Sequence, residues 1–134
     1  MGRIIDIEGI GPVYKQALRK VGITTTEALL EACATPEQRQ ELAAKTGISP
    51  KLILEWANLA DLFRIKGIAE EYSDLLEEAG VDTVVELAQR NPENLYAALK
   101  ETNEKKALVR RLPSLAQVKN WIAQAKALPR ILSY

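Results

Sequence analysis

A chain of 134 residues holds one domain or two small fused ones, and its 18 basic residues balance 18 acidic ones, which argues against strong indiscriminate attraction to nucleic acid. It has no histidine and one cysteine, so nucleophile–histidine pairs, histidine or thiolate zinc sites and an internal disulfide are excluded. No apolar run approaches the roughly 18 residues of a membrane span, Asp6 comes too early for a secretory leader, Gly2 lacks a myristoylation pattern, and the lone Cys33 fits a reducing cytoplasm.

In chain order, Met1 to Glu8 form a short turn or lead-in, too few for a full helix. Ile7-Glu8-Gly9-Ile10-Gly11-Pro12 then reads as a tight hairpin opening a helix. Glycine permits the sharp turn or a close approach, and proline suits the first helical position. Unpaired N–H groups at such a hairpin and helix start would suit an anion, above all a phosphate. From Pro12 to Val21 the apolar residues Tyr14, Ala17, Leu18 and Val21 keep to one helical face, and Gly22 closes the helix. Thr24 or Thr25 caps the next helix, which carries Ala28, Leu29, Ala32 and Cys33. Thr35-Pro36 stops that helix and starts another, which ends at Gly47, and Ser49-Pro50 starts a long helix to Arg64 carrying Leu52, Ile53, Trp56, Leu59, Ala60 and Phe63.

The pattern then repeats. Ile65 to Ala88 aligns without a gap on Ile7 to Leu30, pairing Gly9 with Gly67, Tyr14 with Tyr72, Leu18 with Leu76 and Gly22 with Gly80. Asn91-Pro92 repeats Thr35-Pro36, Ser114 stands where Ser49 stood, and Trp121 repeats Trp56. The second copy is longer near Thr102 to Arg111. Such a match predicts an internal duplication: an all-α chain without sheet, of two helical units, 1–64 and 65–134, sharing one core. Tyr14 and Tyr72 are expected to be core rings with hydroxyls near the surface. Trp56 and Trp121 are expected between the units, or at a dimer interface.

Charge is uneven along this framework. Glu70, Glu71, Asp74, Glu77, Glu78 and Asp82 make the second hairpin and its helix acidic, while Lys105, Lys106, Arg110 and Arg111 fall in the extra segment of the second copy. That basic cluster is either free for an anion or paired with the acidic Glu70 to Asp82 surface, within one chain or between two.

The apolar-x-Gly-apolar-Gly pattern of Ile7 to Gly11, followed by Tyr14 to Ile23, resembles the helix-hairpin-helix motif. The second copy keeps Ile65-Lys66-Gly67-Ile68 but has Ala69 in place of the second glycine. Nearly the whole chain is similar to a bacterial family, domain of unknown function 4332, through Thr46 to Ser49, Ala57 to Gly67, Leu75 to Thr83 and Trp121 to Lys126. The resemblance implies a SAM-like tandem helix-hairpin-helix architecture. It also implies DNA binding without sequence readout, in which Gly9, Ile10 and Gly11 supply backbone N–H groups and Lys15, Arg19 and Lys20 supply charge. Lys105, Lys106, Arg110 and Arg111 would assist if they face the same way. Glu70 and Glu71 at the second hairpin complement the helix dipole but repel phosphate. Two functions stay open: a weak, salt-sensitive nucleic-acid module (DNA or RNA), or a protein-interaction or scaffold module, including homo-oligomers, in which the glycines only bring helices together. Carboxylate catalysis is formally open, but no pair of acids stands isolated in an apolar setting. No enzyme, cofactor or membrane partner is expected.

Overall fold

A polar residue caps most of the helices, and proline stands first in four of them. In the computed structural model, which describes residues 3–7, 9–68 and 70–134, a 3-10 turn at Ile4–Asp6 precedes α1 (Pro12–Lys20), α2 (Thr26–Ala32), α3 (Pro36–Thr46) and α4 (Pro50–Leu62). These are followed by α5 (Glu70–Glu78), α6 (Val84–Ala88), α7 (Pro92–Lys106) and α8 (Leu115–Ala127). The expectations for Met1, Gly2, Glu8 and Ala69, and for the side chain of Glu70, lie outside the described residues. The fold is all-α: among the described residues extended pairing amounts to one isolated bridge, Arg3 with Thr25.

The caps explain the helix limits. Thr25, Thr35, Thr83, Asn91 and Ser114 each accept a hydrogen bond from a backbone N–H in the first turn of their helix. At Thr35 and Ser114 a glutamine three residues on returns the bond, completing a capping box. The choice left open between Thr24 and Thr25 falls to Thr25. Gly47 ends α3 with φ +72°, whereas Ala107 ends α7 in the same left-handed region, φ +50°. α4 stops at Leu62 rather than at Arg64, because the N–H of Ile65 turns back onto the Leu62 carbonyl at 3.1 Å.

The chain divides into two compact units, Met1–Asp61 with Arg130–Tyr134, and Leu62–Pro129. In the first, Ile4, Leu18, Leu29, Ile53 and Trp56 are each at most 2% exposed, each contributing about 1.5–3 kcal/mol by burial. In the second, α8 packs against α6 and α7, and α5 against α7. Leu62, Leu75, Leu76, Leu87, Leu99 and Trp121 belong to its core. No helix among the described residues is long and apolar enough to cross a membrane.

Candidate nucleic-acid interface

The first glycine turn is held from below. Ile7 and Ile10 are buried on either side of it, and the N–H of Ile10 donates to the Ile7 carbonyl at 3.1 Å. Gly9 has φ +93°, a conformation that side-chain-bearing residues rarely adopt. A Cβ there would lie 3.3 Å from Nε1 of Trp56, which rises from α4. The Tyr14 ring of α1 meets Trp56 edge-on, centroids 5.0 Å apart at 61°. Glycine, indole and phenol thus form one stack that fixes where α1 begins. Cys33 is buried as expected, at 0% exposure, and Trp56 and Trp121, at 1% and 2%, are buried against the glycine turn of their own unit rather than in the expected place between units.

Gly11 plays a different part. It precedes α1 in an extended conformation, offers no side-chain cap, and a Cβ on it would meet nothing within 4 Å. Packing does not require glycine there. Among the described residues, the N–H groups of Gly9, Gly11, Val13 and Tyr14 make no hydrogen bond, and the first helical bond is from Lys15 to the Gly11 carbonyl. Ile10 does not belong with them. Its side chain is 4% exposed and its N–H is spent on Ile7, so the expectation that it offers a donor gives way to a role as the plug of the turn.

α1 carries the charge. Its first turn holds no acid, and Arg19 and Lys20 close its last turn. Lys15 and Arg19 stand one turn apart beside an open recess of about 210 Å³ that Pro12 and Gln16 complete. Among the described residues Lys15, Arg19 and Lys20 form no ion pair. The stretch from the Gly11 amide to Arg19 runs about 12 Å along the helix, longer than a single phosphate group.

The second turn repeats the support and differs in its charge. Gly67 has φ +98°, a Cβ on it would lie 3.0 Å from Nε1 of Trp121, and Tyr72 lies against Trp121 at 5.3 Å and 53°. Here, however, the side-chain amide of Gln124 grips the turn. The N–H of Lys66 donates to Gln124 Oε1 at 2.9 Å, and Gln124 Nε2 donates to the Lys66 carbonyl at 3.0 Å. Glu71 is exposed beside it, and Asp74, Glu77 and Glu78 bring carboxylate oxygens within 4.8 Å of one another. Burial, and then the neighbouring Glu86, raise the Asp82 carboxyl above its usual range. An anion is disfavoured at this turn by charge, and Gln124 occupies the Lys66 amide, whose counterpart Glu8 lies outside the described residues.

The basic cluster lies in this second unit and is partly neutralised. Lys105 pairs with Glu101 at 3.2 Å, and Lys106 pairs with Glu78. The latter is the intrachain form of the expected pairing with the acidic surface. Arg110 and Arg111 remain exposed, without an ion pair among the described residues. Their loop is set by Asn103, which accepts from the Val109 N–H at 2.9 Å and donates to the Val109 carbonyl at 3.1 Å, and by Tyr72, whose hydroxyl donates to the Arg111 carbonyl at 3.0 Å. Sequence reasoning missed both Gln124 and Asn103. One signal was present for Gln124: three residues past Trp121 stands a glutamine, whereas three past Trp56 stands Leu59, which has no hydrogen-bonding group to give the turn.

A family model described as a domain of unknown function (DUF4332) matches residues 8–128. No curated protein and no solved structure matches the chain.

Proposed function

The chain belongs to the domain of unknown function 4332 family, and from that premise we propose that it is a non-catalytic binding module for the phosphate backbone of DNA, of a bacterial cytoplasm, and built on duplicated helix-hairpin-helix units. One observation carries the reading. The Gly9–Pro12 turn presents unbonded backbone N–H groups at the start of a helix with no first-turn acid, and the same helix bears Lys15, Arg19 and Lys20 unpaired among the described residues. Helix N-termini attract anions. A stretch of about 12 Å suits a polymer of phosphates better than one free ion. Such contacts position a nucleic acid without reading its sequence. Arg110 and Arg111, in the second unit, would offer a contact of their own. Lys105 and Lys106 contribute less, because Glu101 and Glu78 already partner them.

The test is anisotropy of a labelled duplex and a labelled single strand across a salt series. With three or four phosphate contacts, affinity falls about 40- to 150-fold between about 50 and 200 mM salt. Lys15→Glu with Lys20→Glu abolishes binding at both salts. Gly11→Ala keeps the fold, since its Cβ meets open space, yet weakens binding by blocking close approach. Full binding by the double lysine variant overturns the reading. A protein-interaction module is the second reading, favoured by Val13, which stands 79% exposed on the same helix. Light scattering that detects a salt-resistant oligomer broken by Val13→Asp supports it.

A further inference from the structure

Residues Ile131–Tyr134 have no regular secondary structure, yet they are bound like a ligand to the unit that holds α1 to α3. Leu132 is a plug, 2% exposed, while its neighbours Ile131 and Ser133 face outward. The Ser133 N–H and hydroxyl both donate to the Ala34 carbonyl, at 2.8 and 3.2 Å. In return the Ser133 carbonyl accepts from Arg39 Nη2 at 2.8 Å. The Tyr134 ring lies over the same guanidinium at 5.6 Å, and its hydroxyl donates to Asn58 Oδ1 at 2.7 Å. Main-chain groups bonded in both directions and one apolar plug between exposed neighbours are how an extended peptide is recognised.

The receiving side is built independently of that segment. Arg39 is 7% exposed on α3, and its Nη1 donates to the Cys33 carbonyl at 2.8 Å. Cys33 is the residue that ends α2, where the helix dipole favours a cation. Among the described residues no ion pair to Arg39 is formed. Its second nitrogen takes a carbonyl from the segment instead. Arg39 is this well buried only with the segment in place; without it Nη2 would turn to water, so the groove keeps a donor ready for an acceptor. It therefore calls for a backbone carbonyl followed by an aromatic ring.

We propose that the groove formed by Ala34, Arg39 and Asn58 is a peptide-recognition site, filled in cis by Ile131–Tyr134 and able to take the same segment from a second copy of this chain. Every copy carries the matching ligand, and exchange remakes the same bonds. Tethering gives the cis segment an effective concentration of order millimolar, so the site stays closed in dilute solution and exchanges when concentrated.

The experiment uses the full chain and a fluorescent peptide of residues 128–134. A variant with Leu132→Asp and Tyr134→Ala, which weakens the cis ligand, binds the peptide about a hundredfold tighter than the unaltered chain does. Adding Arg39→Gln abolishes that binding. Equal affinity for the unaltered and weakened chains, or binding that survives the loss of Arg39, overturns the proposal. Hydrogen exchange on the unaltered chain gives a readout that needs no variant to fold. The Ser133 amide exchanges through an opening that leaves the α4 amides of Leu59 and Ala60 protected. Exchange of Ser133 only in step with α4 overturns the proposal as well.

Discussion

Replacing Gly9 with alanine separates two costs that the turn combines, backbone strain and contact with the indole. The comparison is Gly22→Ala, in the same unit. Gly22 also has positive φ, +84°, but a Cβ there meets nothing within 4 Å, whereas at Gly9 it lies 3.3 Å from Trp56 Nε1. Left-handed backbone costs a non-glycine residue about 1–2 kcal/mol, and lower entropy of the unfolded chain returns about 0.4–1 kcal/mol. Gly22→Ala therefore destabilises by roughly 0.5–1 kcal/mol. Gly9→Ala must also push Trp56 off its preferred rotamer by some tenths of an ångström, adding roughly 0.5–1.5 kcal/mol. Its total is roughly 1–2.5 kcal/mol. For a chain of this length a kilocalorie corresponds to roughly 3–5 °C in Tm, so Gly9→Ala loses about 4–10 °C against about 2–4 °C for Gly22→Ala. Circular dichroism melts give the values, and a shift in Trp56 emission accompanies only Gly9→Ala. Equal losses in the two variants, with unchanged emission, would refute the idea that the indole supports the turn.

The same strain runs the other way at Ala107, where φ is +50°. Ala107→Gly should stabilise the chain by roughly 0.5–1 kcal/mol, read by urea titration. Burial pushes the Cys33 thiol from 9.0 up to about 12, against a smaller opposing pull from Arg39. The native thiol then stays protonated while the unfolded one ionises. The stability it contributes is complete below about pH 9 and is lost as pH rises toward 12. Denaturant titrations from neutral to alkaline pH should show a decline that Cys33→Ala reduces, and a thiol reagent should label Cys33 only after unfolding. Asp82 is raised by burial and by Glu86, so its charge is a burden on the native state above the carboxylate range. Asp82→Asn should raise Tm at neutral pH, with the gain fading as pH falls through that range.

Local chemistry was legible without a fold. Thr25, Thr35 and Ser114 act within three residues of themselves, and proline and glycine act on their own backbone angles. Helix starts, the all-α class and sharp turns at Gly9 and Gly67 could therefore be read from residue order alone, and the turns have the positive φ that glycine allows. The correspondence of Tyr14 with Tyr72 and of Trp56 with Trp121 was legible too, and each pair of rings meets in the same way. Distant partners were not legible. Gln124 closes the Lys66 turn from 58 residues away, and Arg39 holds Ser133 from 94 residues away. Lys106 finds Glu78 across 28 residues, which decides for one of the cluster's four cations between the free and paired states that the charge pattern left open. A side chain's type and spacing tell what it is able to bond. Which groups come within about 3 Å of it depends on packing that only the folded chain establishes, and here that packing set Trp56 against Gly9 and Trp121 against Gly67.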